Sequence, residues 1–198
     1  MSHTKHVMPF RRKHEGKTNY KKRLSLLKSG KPRLIIRKSN TALTLQLITY
    51  EPDGDRIHIT LNSKALKKQG WTGSVKSLPA AYCTGYLFAK QATQHGIKEA
   101  IVDLGLQQHR GGTRIYAAVK GVVDGGLPVP VSESIFPSAE RLAGAHLAAG
   151  VADAFTKLGI PLPKASGSKA STPKAEKPPK EAQKAKPQKE KPAAANEA

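Results

Sequence analysis

Hydrophobic residues return along this chain at two spacings, and the switch between them divides it into elements. From Arg33 to Lys38 (RLIIRK) and from Ala42 to Tyr50 (ALTLQLITY) the chain reads as extended. In the second run Leu43, Leu45 and Leu47 fall on one face and Thr44, Gln46 and Ile48 on the other, as a half-buried strand requires. Ser39-Asn40 supplies a turn between the two runs. Pro52-Asp53-Gly54-Asp55 is a stronger turn, because proline presets one backbone dihedral and glycine frees another. Arg56–Leu61 (RIHITL) then alternates again. Three strands joined by short turns predict an antiparallel meander.

After the meander the spacing becomes helical. Ser63 is placed to cap a short helix over Lys64–Gln69, and Gly70-Trp71 follows. Trp71 reads as a core or lid aromatic rather than a base stacker. Ser77 caps the next helix, with Pro79 in its first turn. Ala80–Ala89 (AAYCTGYLFA) is apolar nearly all round, which predicts burial against the sheet and makes Cys83 a structural thiol. Gly85 in mid-helix costs about 1 kcal/mol relative to alanine. Close approach of a second backbone would explain it.

Lys98–Leu104 (KEAIVDL) reads as a buried strand parallel to a neighbour, and Gly105–Thr113 as a loop. Thr113 caps a helix to about Asp124, stopped by Gly125-Gly126. Leu127–Pro137 is irregular. A last helix runs from Ser138 to Gly159, with Leu147, Val151, Ala154, Phe155 and Leu158 at core spacing. The predicted fold class is α/β, a mixed sheet that starts with the meander and carries helices packed on it.

The N-terminal end mixes structure with charge. Residues 1–14 (MSHTKHVMPFRRKH) read as an extended arm, because Pro9 disfavours a helix. Thr18 caps a helix to about Lys28, ended by Gly30 and Pro32. Tyr20, Leu24 and Leu27 share one face, so this helix would dock by its leucine stripe and turn its cations outward.

Composition sharpens this division. The chain has 198 residues, 34 Lys+Arg against 14 Asp+Glu, and a formal net charge of +20. Its hydrophobic share of 38 % lies below the usual ~45–50 %, so part of the chain should build no core. Residues 1–38 hold 13 cations and one acid, Glu15; residues 39–163 hold 12 and 9; residues 164–198 hold 9 and 4. Three parts follow: a basic arm with its helix over 1–32, an α/β body over 33–163, and a tail over 164–198. The tail contains no aromatic and no Leu, Ile, Val or Met. It should be disordered, as a solubilising segment or a diffuse electrostatic tether to nucleic acid. The arm's cations repel one another unless an anion lies among them, which points to a polyanionic partner.

Several classes are excluded. One cysteine rules out an internal disulfide framework and a multi-cysteine metal site. No run approaches the ~20 apolar residues of a membrane span, and no apolar block follows the N-terminal charges as in a secretory signal. A soluble, cytosolic protein without membrane contact is expected. The loop before the Thr113 helix lacks the GxxxxGK[ST] pattern, so nucleotide hydrolysis is not expected. With His109, Arg110 and Arg114 it suits an RNA phosphate as well as a plain connection. Asp103, Asp124 and Glu133 are too loosely spaced for a two-metal nuclease, and read as local hydrogen-bonding groups. His3 and His6 fit adventitious metal binding only, and His146 a core-edge or partner-facing place. No cofactor or metal is expected.

The stretch His14–Asn40 (HEGKTNYKKRLSLLKSGKPRLIIRKSN) resembles the N-terminal signature of the large-subunit ribosomal protein family that binds 5S rRNA, the eighteenth of its series, in the archaeal form. Leu78–Leu87 (LPAAYCTGYL), Glu99–Gly112 (EAIVDLGLQQHRGG) and Ile115–Gly126 (IYAAVKGVVDGG) look like its later blocks in order. Arg141–Ala148 (RLAGAHLA) resembles a block usually ending G-E-H-I-A, with Ala145 in the place of the glutamate. The resemblance covers about residues 8–150 and implies a ribonuclease-H-like topology without catalysis. It also implies a basic arm clamped on 5S rRNA, which is thereby fixed to the large rRNA in the central protuberance, beside neighbouring large-subunit proteins. The length suits the archaeal rather than the longer eukaryotic form, and the positive charge argues against an extreme halophile. The implied RNA contacts are Arg11, Arg12, Lys13, Lys17, Lys21, Lys22, Arg23, Lys28, Lys31, Arg33, Arg37 and Lys38, with Tyr20 stacking and the loop adding His109, Arg110 and Arg114. A non-ribosomal RNA chaperone and a metal-dependent nuclease are the alternatives that the residues leave open.

Overall fold

A computed structural model describes residues 8–147 and 151–163. The expectations for His3, His6 and the 164–198 tail lie outside these residues. Four strands form one mixed sheet: β1 (Arg33–Lys38), β2 (Leu43–Glu51), β3 (Gly54–Asn62) and β4 (Ile101–Asp103), in the order β3-β2-β1-β4. β2 runs antiparallel to both β1 and β3, whereas β4 runs parallel to β1.

The alternation in β2 decides which face is covered. Leu43, Leu45 and Leu47 are fully buried and join Leu34, Ile36 and Ile59 in the core. Thr44, Gln46, Thr60 and Asn62 line the opposite face, where Gln46 donates to Thr60 at 3.3 Å and Asn62 to Thr44 at 3.0 Å. Ile48 keeps to this outer face, opposite Arg33, but is buried there at the edge of the cleft under the N-terminal segment. The register shifts beside it, Leu47 pairing with Ile59 and Ile48 with Ile57, which leaves His58 as the extra residue of a bulge.

Two helices cover the inner face. α4 (Leu78–Gln94) starts where Ser77 accepts a hydrogen bond from the Ala80 amide, and its residues Pro79–Gly85 are all buried. α5 (Arg114–Asp124) crosses it at backbone contact. A Cβ at Gly85 would lie 2.1 Å from the Ala118 carbonyl oxygen, and one at Gly121 2.1 Å from that of Tyr82. The two glycines exist because no side chain fits this crossing. Tyr82 reaches across to donate to Asp124 at 3.0 Å. Burial, and then the Asp124 charge, push its phenol well above the usual range. Cys83, on the same helix, is fully buried in the core, and burial raises its thiol likewise.

Four local expectations give way to other partners. Pro9 precedes a helical turn, α1 (Arg11–His14), rather than preventing one: the His14 amide donates to Phe10 O at 3.0 Å and that of Glu15 to Arg11 O at 2.9 Å. The cap of α2 (Tyr20–Leu27) is Asn19, whose side chain accepts from the Lys22 amide at 3.0 Å, because Thr18 is taken by Arg12. Ser63 does not cap α3 (Ala65–Lys68); its hydroxyl accepts from the Leu43 amide at 3.0 Å and closes the end of β2. The single last helix is two, α6 (Ala139–Ala143) and α7 (Val151–Lys157), since Gly144 turns left-handed at φ +81°. Phe155 of α7 reaches the core, its ring 6.1 Å from those of Trp71 and Tyr82, so Trp71 is a core residue.

Candidate nucleic-acid interface

The predicted stripe of the arm helix is only partly covered: Tyr20 and Leu27 are half-buried. Leu24 stays 57 % exposed, and the side of α2 that meets the body carries Lys22, Arg23 and Leu26. Two cations expected to point outward therefore hold the helix down. Lys22 Nζ donates to the Gly105 carbonyl at 3.2 Å and meets His109 Nε2 at 2.8 Å. Arg23 Nη2 donates to both oxygens of Asp55 at 2.8 Å.

Arg33 corrects the RNA-contact set most sharply. It is 1 % exposed, inside the fold rather than at a surface. Its guanidinium lies 2.8 Å from Asp55 and donates to Asp103 at 3.1 Å. Arg33 opens β1 on the face away from the helices and Asp103 ends β4 beside it, so adjacent parallel strands bring the pair together. Burial alone would raise the Asp55 carboxyl. The bonds from Arg23 and Arg33 outweigh that and hold it below the ordinary carboxylate value. Asp103 also accepts from the Gly105 amide at 3.0 Å, and Asp124 is engaged by Tyr82 and by Lys120 at 3.0 Å. Among the described residues no three acidic, imidazole or thiol groups converge as metal ligands.

Above this network lies a cleft of about 500 Å³, between the N-terminal segment and the outer face of the sheet. Arg12, Lys17 and Lys22 line it from the arm side, Arg37 and Lys38 from β1, and Gly105, Leu106 and Gln107 from the loop after β4. Arg37 and Lys38 are exposed and have no carboxylate partner among the described residues. Gln107 holds this wall in place and was no part of the sequence-derived set. Its amide donates to the Ile36 and Leu104 carbonyls, and its carbonyl accepts from the Lys38 amide at 3.3 Å. The tandem Gln107-Gln108 after a strand was the only signal for it.

The remaining predicted residues spread outward from the cleft. Lys13, Lys21 and Lys28 are exposed, without a carboxylate partner among the described residues. Arg11 and Lys17 share Glu15, each at 2.8 Å. The bond from Lys17, then that from Arg11, lowers the Glu15 carboxyl. Lys31 pairs with Glu99 at 2.6 Å. Tyr20 is half-buried against Phe10, ring centroids 5.2 Å apart, and Phe10 itself is 71 % exposed. Phe10 lies ahead of any periodic stretch of the sequence, which therefore carries no signal for this aromatic pair. Beyond the cleft wall, Arg110 is exposed and Arg114 donates to the Lys76 carbonyl at 3.3 Å. His146 is exposed.

An exposed cationic arm, clamped at its base over a basic cleft, is a surface for a phosphate backbone. Residues 4–100 match the family described as ribosomal large subunit proteins 60S L5 and 50S L18. The large ribosomal subunit protein uL18 of Methanoculleus marisnigri is 51 % identical over 144 residues, 73 % of this chain and 82 % of that protein. The chain belongs to this ribosomal protein family. The uL18 protein of Methanoregula boonei is 45 % identical over 145 residues, 73 % of this chain and 83 % of that protein. That of Korarchaeum cryptofilum is 46 % identical over 144 residues, 73 % and 74 % of the two chains. The uL18 family is one of structural ribosomal proteins, and the chain is not an enzyme.

Proposed function

We propose that the chain is a structural constituent of the large ribosomal subunit that binds 5S rRNA, helps attach it to the large rRNA in the central protuberance, and works in the cytoplasm beside other large-subunit proteins. The observation that carries this reading is the arm: its cations stand over the cleft, while its base is tied to the body by Lys22 and Arg23. Structured RNA is held through phosphates and 2′-hydroxyls, with stacking at irregular sites. Arg12, Lys17, Lys22, Arg37 and Lys38 would take phosphates within the cleft, and Arg11, Lys13, Lys21, Lys28, Lys31, Arg110, Arg114 and His109 around it. Tyr20, with Phe10, would supply the stacking surface. Arg33 and Arg23 serve by shaping the site. The strand order, with β4 parallel to β1, supports a ribonuclease-H-like topology. We read residues 1–32, 33–163 and 164–198 as arm, body and tail.

A salt titration of 5S rRNA binding tests this. Neutralising roughly 8 phosphates gives a log–log slope of about −6. Charge reversal at Arg11, Arg12 and Lys21 together should weaken binding at least tenfold, and deletion of residues 164–198 should change it little. Weak, salt-insensitive binding overturns the reading. A larger loss on deleting the tail than on reversing the arm overturns the division of roles.

A further inference from the structure

The body's modest net charge conceals a second segregation. Between Arg56 and Lys98 the chain has seven cations and no aspartate or glutamate, whereas residues 99–163 have five cations and six acids. The fold brings part of the acid-free stretch to one place. A groove of about 250 Å³ lies between α3 with the end of β3 on one side and the outward side of α4 on the other. Its floor is Leu61, Leu66 and Leu87, and its rim is Asn62, Gln69, Lys90, Gln91 and Gln94. Lys64, Lys67 and Lys68 stand exposed on and beside α3. None of these four lysines pairs with a carboxylate among the described residues. The side-chain amides of Gln69, Gln91 and Gln94 have no partner there either.

The groove is separate from the cleft beneath the arm. The cleft opens on the outer face of β1, toward β4. The groove lies at the opposite edge of the sheet, along β3, and on the side of the helices, since Leu61 pairs with the inward-facing Leu45. Its chemistry favours nucleic acid over protein. Lysine is depleted from protein–protein interfaces, whose centres rely on aromatic and arginine anchors that this rim lacks. Lysines beside unpaired amides suit phosphates, 2′-hydroxyls and base edges.

We propose that the α3–α4 face is a second RNA-binding surface, centred on Lys64, Lys67, Lys68 and Lys90, that lets one copy of the chain hold two RNA segments at once. This rests on the reading of the chain as an rRNA-binding protein, and gives the large-rRNA attachment an address distinct from the arm.

The test uses the full chain saturated with 5S rRNA and a labelled 20-base-pair RNA duplex as second probe. The wild-type complex should take up the duplex. K64E/K67E/K68E/K90E should reduce uptake at least tenfold and leave 5S affinity within about twofold. Loss of four phosphate contacts should flatten the duplex salt slope by about 3. The glutamine version of the same variant, checked by its melting midpoint, should lower uptake by a smaller factor and guards against misfolding. The proposal is overturned by unchanged uptake in both variants, by no uptake in the wild-type complex, or by an equal loss of 5S affinity, which would make the two faces one surface. Capture of an acidic polypeptide in place of the duplex also overturns it. Failure of the rRNA reading looks different: 5S rRNA then binds no better than a scrambled RNA of equal length, while the lysine variants still lower duplex binding by the free protein.

Discussion

Asp55 does the work of two partners, holding the helix-borne Arg23 and the strand-borne Arg33 with one carboxylate. Breaking a buried ion pair costs about 3–5 kcal/mol, because the surviving charge is left unpaired. Asp103 remains beside Arg33, and Asp55 keeps 23 % of its side chain exposed, so Asp55→Asn should cost about 2–3 kcal/mol in urea denaturation. The sign of its pH dependence follows from the lowered carboxyl. Folding binds fewer protons at Asp55 than the unfolded chain does. Its contribution is therefore complete above the ordinary carboxylate value near 4 and is lost as pH falls through the lower folded value. The wild-type protein should thus lose more stability than Asp55→Asn on acidification below about pH 4. A parallel acid titration of the two proteins would sink this account. None of the network was legible in the sequence. Asp55 appears there only as the end of a turn, and its partners lie 32 and 22 positions away. Trp71 and Cys83 were legible, because large or soft apolar residues in apolar surroundings have few other places to go.

The α4–α5 crossing is where an element's sequence carried most information. A glycine inside an otherwise apolar helix announced a close approach, and the contact at Gly85 with its counterpart at Gly121 supplies it. Gly85→Ala would gain helix propensity of about 1 kcal/mol, yet its methyl meets backbone that cannot rotate away. Forced separation of packed elements costs typically 1–3 kcal/mol or more. We expect a net loss of stability near that upper figure in chemical denaturation, and a gain would refute the close-approach account. Helix ends were less legible for a physical reason. Thr18 and Asn19 are both good caps, and only the bond from Arg12, six positions earlier in the arm, that takes the Thr18 hydroxyl decides between them. Helix α2 was legible in part: Tyr20 and Leu27 of its stripe are half-buried, but Leu24 is exposed, and a lysine–carbonyl bond and an ion pair turn Lys22 and Arg23 inward as well. One left-handed residue, Gly144, was enough to divide the last helix.

Across the molecule, charge and core are sorted along the chain before they are sorted in space. The strands and the apolar helices could be placed from periodicity, because the inner face of the sheet and the Leu/Ala-rich helices have one way to hide. The cleft could not be placed so, since it joins residues 12–22, 37–38 and 105–107, whose common feature is only their destination. The body also contains its own clock. Cys83 is the one thiol in the sequence, sealed within the core and held protonated by its burial. An alkylating reagent can reach it only when the packing around α4 opens, so the rate of adduct formation counts openings of the core, one per molecule labelled. RNA that binds only the folded chain at 100 times its dissociation constant adds about 2.7 kcal/mol to that opening, and labelling should slow roughly 100-fold. A slowing confined to the arm's own exchange, with Cys83 labelled at the free rate, would mean that the RNA grips the arm without feeling whether the body beneath it is folded.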